Sequence, residues 1–174
     1  EHLIDALVSM RGACGSDLNA RRQLSGITLH VPSLEQIRIL EHPPADPFTV
    51  ESSPIASVAT SHPGRLAGRR VKVSGVVTLD LPGEGFFLED SSGGILVRTQ
   101  QTNEFHAADL VDALGFPAIG EFSPNLEEAT VRGTGTRAMP VAKKVAAEQI
   151  LLHGTNDARL VEVEARLLQR VAQS

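Results

Sequence analysis

The chain has 174 residues, 41% hydrophobic and 21% charged, the balance of a soluble globular protein with room for one ordinary domain or two small ones. No apolar run approaches the roughly 18 residues that span a bilayer, so this segment itself is expected to make no membrane contact. Sixteen Lys and Arg against 21 Asp and Glu leave a net −5 that disfavours polyanion partners, the single Cys14 excludes an intrachain disulfide or thiolate cluster, and the lack of Tyr and Trp leaves few rings for stacking bases or sugars.

The chain starts at Glu1 with no initiator Met, charged n-region or cleavage pattern, which reads as truncation of a longer protein. LVSMRGA (7–13) is an alternating strand closed by glycine, and GACGSDLNARRQLSGITLHV (12–31) is a hairpin turning at Asp17–Ala20. Cys14 follows a strand with no His nearby, so it is expected to pack as a small hydrophobe. EHPPADPF (41–48) packs three prolines into five residues and reads as a linker. Short helical turns are expected around 55–62 and 103–109. RLAGRR (65–70) is a loop whose Arg65, Arg69 and Arg70 are the candidate anion contacts.

RRVKVSGVVT (69–78) alternates, with Val71, Val73, Gly75 and Val77 on one face and Lys72, Ser74 and Thr78 on the other, as a half-buried strand does. GFFLED, GGILVRTQ, DLVDALGFPA and LEEATVRGT follow as four more strands. Between the second and third, EDSSGG reads as a turn, with Gly93 and Gly94 free to take positive φ and Asp90 or Ser91 able to hydrogen-bond its backbone. GTGTRAMP (133–140) lacks the Gly-Lys-Ser/Thr of a phosphate loop and closes a strand, so it reads as a second break.

RLVEVEARLL (159–168) repeats the first strand ninety residues on, with Val161, Val163, Ala165 and Leu167 facing in. Ile55-Ala56 and Val145-Ala146, then Gly64 and Gly154, precede the two copies at the same ungapped offset. LVDALGF (110–116) matches LVSMRGA at an offset of 103, so the earlier copy carries about 13 extra residues in its hairpin. The expected fold class is therefore all-β: a small five-stranded antiparallel barrel, tandemly repeated, with short helical turns. Residues 1–42 form the C-terminal part of a first module, 49–137 a complete one and 141–174 the N-terminal part of a third. The strands of 1–42 and 141–174 are expected to pair with each other, within one chain or across a homodimer, sealing exposed edges.

VKVSGVVT (71–78), FFLEDSSGGILV (86–97), DLVDALGF (109–116) and NARRQLSGITLHVPSLEQIRILE (19–41) followed by PADPF (44–48) carry a family resemblance. The arrangement resembles an OB-fold, and looks like the tandem OB-like modules N-terminal to the kinase region of bacterial sensor histidine kinases. The resemblance implies the extracytoplasmic, periplasmic input region of a membrane-anchored signal-transduction protein. Any kinase activity would lie in sequence not present, since this chain has no phosphoacceptor helix and no ATP-binding glycine boxes.

OB barrels bind across the outer face of strands two and three. The residues offered there are Lys72, Ser74, Phe87, Glu89, Asp90, Ser92 and Arg98 as candidate ligand contacts, with an unknown small ligand or a neighbouring protein domain as the partner. The competing reading of EDSSGG is a hairpin turn with solvated acids. An oligonucleotide-binding OB module is the alternative function, but residues 54–136 hold six Lys and Arg against ten Asp and Glu. No catalytic residue, metal site or cofactor is expected: the histidines at 2, 30, 42, 62, 106 and 153 show no HxH or HExxH spacing, no serine sits in GxSxG, and Asp90 and Ser92 lack the further acids calcium needs.

Overall fold

The computed structural model describes residues 3–18, 24–60, 69–118, 120, 123–152 and 156–166, and the chain divides into two units, Glu1–Thr49 and Val50–Ser174.

The first unit is a long, interrupted β-hairpin. Strand β2 (Ala13–Leu18) pairs antiparallel with β3 (Leu24–His30), and β1 (Leu7–Met10) pairs antiparallel with β4 (Ile37–Glu41). A 3-10 turn at Leu34–Gln36 separates the two ladders, and the Arg11 amide donates to the Gln36 carbonyl across the gap at 3.0 Å. The hairpin leaves Leu7, Ile27 and Leu40 more than half exposed. Cys14 is exposed as well, contrary to its expected packing. The proline-rich stretch ends in a 3-10 turn at Pro47–Thr49, where Asp46 Oδ1 accepts the Phe48 amide at 3.0 Å and Phe48 is buried.

The second unit holds a closed barrel of five strands: β5 (Val71–Leu81), β6 (Gly85–Glu89), β7 (Gly94–Val97), β8 (Asp109–Ala118) and β9 (Asn125–Thr136). Their order around the barrel is β5-β6-β7-β9-β8, a Greek-key arrangement of OB type. Every pairing is antiparallel except β7 with β9, which is parallel, because β9 returns beside β7 after crossing over β8. That closure is short, Leu96↔Asn125 and Val97↔Leu126, and the chain after β7 extends it. The Arg98 amide donates to Leu126 O, Thr99 Oγ1 donates to Ala129 O at 2.7 Å, and the Gln101 carboxamide both accepts from and donates to the Val131 backbone. Gln101 thus stands in for one residue of a missing ladder.

Alternation explains the core. Val73, Val77, Phe86, Leu88, Val97, Val111, Ala113 and Leu126 are all sealed inside, with Phe86 and Phe105 rings 4.7 Å apart between centroids. The expected alternation breaks late in β5: Val76 is buried beside Val77, and at the register shift between Val77 and Leu79 Thr78 is buried where an outward side chain is expected while Leu79 is 54% exposed. The Thr78 hydroxyl reaches the Phe87 carbonyl at 3.4 Å. Helix α1 (Ile55–Thr60) caps the barrel with Ile55 and Val58, whereas residues 103–106 form no helix, and the chain turns at Ala107-Ala108, with Ala108 at φ 79.

After the barrel come β10 (Lys143–Lys144), α2 (Ala147–Leu152) and β11 (Val161–Glu162), with β10 and β11 pairing in parallel. This repeats the opening of the barrel, where Ser52 bridges Lys72 in parallel ahead of α1 and β5. Helices α1 and α2 start 92 positions apart and strands β5 and β11 start 90 apart, so the second copy is two residues shorter between helix and strand and the ungapped match is corrected. Gly64 and Gly154 lie outside the described residues. The expected strand over 159–168 is also cut short: Val163 and Ala165 are exposed, and Leu167 lies outside the described residues. Within the chain the ladder partner of β11 is β10.

Candidate functional site

The connection between β6 and β7 is a saturated polar turn. Asp90 Oδ1 accepts the Ser92 amide at 2.7 Å, the Ser92 hydroxyl at 2.6 Å and the Gly93 amide at 2.8 Å. Asp90 Oδ2 accepts the Ile55 amide and Ser92 Oγ accepts the Ala56 amide, each at 3.0 Å. Four donors thus reach the Asp90 carboxylate, three at Oδ1 and one at Oδ2. The acid and hydroxyl therefore fix the turn and satisfy two otherwise orphaned N–H groups opening α1. Neither Gly93 nor Gly94 takes a positive φ. Gly93 packs against Ile55, and Gly94 is required by close approach: a Cβ there would sit 2.0 Å from the Ala158 carbonyl oxygen.

The neighbouring acid has a different role. Glu89 Oε2 accepts the Leu160 amide at 2.9 Å, and Oε1 lies 3.8 Å from Arg159 Nε. The Glu89 side chain is only 11% exposed, so this carboxylate is withdrawn from water and depends on those partners. Arg159 Nε is itself buried and lacks a hydrogen-bond partner. Around this contact, Ser123 Oγ donates to Asp157 Oδ2 and Lys143 Nζ donates to Asn156 Oδ1 at 3.2 Å. Ala158 turns the chain with φ 57. The stretch 156–160, leading into β11, is thereby clamped at the β6–β7 corner of the barrel. Beside it, half-buried Phe87 lines a cleft of about 280 Å³ with Thr78, Leu79 and residues 158–161.

The remaining sequence-predicted contacts lie elsewhere. Ser74 Oγ donates to Asp112 Oδ1 at 2.6 Å and shares a 2.8 Å hydrogen bond with Ser52 Oγ, while the Lys72 carbonyl accepts the Ser53 amide. Arg98 faces Glu127 at 3.4 Å and Glu84 at 4.0 Å. The predicted set thus separates into a Ser74 group, a Glu89-Asp90-Ser92 corner and an Arg98 group. Arg69 is exposed and Arg70 half-buried, and Arg65 lies outside the described residues. Sequence reasoning missed Arg159, Leu160 and Asp157. One signal was present: Arg159 stands ninety positions from Arg69 in the repeat.

Among the described residues no three His, Cys, Asp or Glu side chains gather as a metal site, and no helix is long and apolar enough to cross a membrane. No family model matches the chain, and no curated protein does. Among solved structures it is similar to the hypothetical protein ygiW from E. coli, at 15% identity over 49% of this chain and 92% of that one, with a TM-score of 0.39. A likeness of that size carries no argument about fold or function.

Proposed function

We propose that this segment is a non-catalytic docking module, an OB-like barrel whose β6–β7 corner receives a peptide segment of a neighbouring domain, within the extracytoplasmic input region of a bacterial sensor histidine kinase. One observation carries the docking half: Glu89, on the strand where OB barrels engage ligands, already binds the backbone and guanidinium of the segment at Arg159-Leu160. The kinase context is supported by the motif resemblance of the repeated modules. The acidic balance of the barrel, and its polar corner saturated by its own chain, speak against the oligonucleotide alternative.

Hydrogen exchange on the whole chain tests the docking reading. The Leu160 amide is expected to be protected, and Glu89→Ala to raise exchange across 156–161 while the barrel amides stay protected. Equal exchange in the two proteins would overturn the reading. A single-stranded oligonucleotide at low salt is expected to change nothing, whereas salt-dependent binding would select the nucleic-acid reading. A membrane span and kinase core in the gene following this segment would support the context, and another kind of protein there would overturn it. Assembly of two copies through their terminal strands goes with the proposal, and light scattering that gives a monomer at every concentration would remove it.

A further inference from the structure

A second cleft opens where the chain after β9 passes the β6–β7 corner. It holds about 500 Å³, within the range of small-molecule sites, and the two acids of the corner line it together with three cations. The acids are engaged: four donors reach Asp90, and Glu89 accepts the Leu160 amide. The cations are not matched in the same way. Arg137 is exposed, its backbone amide donates to Ala108 O at 2.9 Å, and no carboxylate among the described residues pairs with its guanidinium. Lys143 Nζ donates to a neutral acceptor, Asn156 Oδ1, at 3.2 Å. Arg159 Nε stands 3.8 Å from Glu89 Oε1, beyond hydrogen-bond range, and is buried without a hydrogen-bond partner.

We infer that this cleft is the binding site of a small organic anion, a carboxylate or phosphate monoester carried on a compact apolar body. Three cations beside two occupied acids leave the lining net positive in a chain whose overall charge is −5, so the attraction for an anion is local to this cleft. The planar fork of an arginine suits the paired oxygens of either group, and the lysine adds a point charge. Val76, Met139, Pro140 and Val141 on the same lining match the apolar body, and Val141 is 95% exposed, so a ligand there takes apolar surface out of water. Arg137, Lys143 and Arg159 come from the linker, from β10 and from the stretch before β11, so one anion held among them ties the following segment to the barrel. The docked Arg159 is one wall of the cleft, and the site rests on the docking reading for that wall alone.

The whole chain, isotope-labelled at its amide nitrogens, is titrated with hexanoate and with hexyl phosphate, and with hexanol and hexylammonium at the same concentrations. Either anion is expected to give saturable shifts at the amides of Ala138, Met139, Val141 and Arg159, and the alcohol and the amine none there. Arg137→Glu keeps the backbone bond to Ala108 and is expected to weaken anion binding about tenfold, and Lys143→Gln about threefold, with the rest of the spectrum unchanged. Lys143→Gln carries the test alone if Arg137→Glu does not fold. No saturable shift with either anion, an equal response to hexylammonium, or unchanged affinity in the folded variants overturns the inference. Any of these results with a protected Leu160 amide leaves the docking reading standing, and with an unprotected one overturns both.

Discussion

Strands β5 and β11 start from nearly the same pattern, RRVKVSGVVT and RLVEVEARLL, and end very differently. The first runs for eleven residues between β6 and β8; the second runs for two beside β10. Val73 is fully buried in the first, whereas Val163, its counterpart ninety positions on, is 37% exposed. Alternation defines an apolar face, but burial and a partner on each side turn that face into a long strand. The same contrast separates the β8–β9 hairpin, whose inner face holds Val111, Ala113 and Leu126, from the hairpin of β1 to β4, where Leu7, Ile27 and Leu40 are more than half exposed. Matched substitutions sharpen the comparison most. Val73→Ala is expected to destabilise the barrel by about 2–3 kcal/mol, with Val163→Ala within about 0.5 kcal/mol of wild type. Urea unfolding followed at the barrel would measure both, and equal costs would break the contrast.

The barrel was legible in the sequence because each of its five strands buries one face, and the turns between them carry their glycines and acids. What stayed hidden depends on distant partners. Thr78 is buried at a bulge that interrupts the two-residue period, and Gln101 completes the β7–β9 closure through a backbone thirty residues away. At the corner, the sequence offered Asp90 or Ser91 as the residue that bonds the turn backbone; the structure places those bonds on Asp90, whose further bond to Ile55 spans 35 positions and is announced by no local pattern. Glu89 sits beside Asp90 and reads as another turn acid, yet its partner amide lies 71 positions on. Acid adjacent to a turn is common, and only the fold separates the two roles.

Next in size come the two acids of that corner, which test whether barrel and lead-in are stabilised separately. Asp90→Ala removes the acceptor of four donors and is expected to cost about 1–3 kcal/mol of barrel stability, with loss of α1 helicity, since the Ile55 amide has no replacement partner. Glu89→Ala is expected to cost the arm about 1–2 kcal/mol and the barrel little, because its partners belong to the stretch before β11. Limited proteolysis distinguishes them: cleavage near 156–161 should rise in the Glu89 variant ahead of any global unfolding. If both variants lose arm and barrel together, the corner is one cooperative unit and the distinction between a structural Asp90 and a docking Glu89 fails.

The smallest effect is expected at Arg98, whose side chain is 41% exposed and whose acidic partners Glu84 and Glu127 are 63% and 37% exposed. Both charges of each pair remain hydrated, so their attraction is screened and partly offset by the entropy of holding long side chains. Arg98→Ala should therefore lower stability by about 0–1 kcal/mol, and less in high salt than in low. The backbone at this residue is another matter, because the Arg98 amide and carbonyl join β9 through Leu126 and Ala129, and alanine keeps both bonds. Thermal unfolding at two salt concentrations would separate these contributions. A large, salt-independent loss in Arg98→Ala would mean that the side chain packs as part of the barrel wall, and would bring this residue into the same class as Val73.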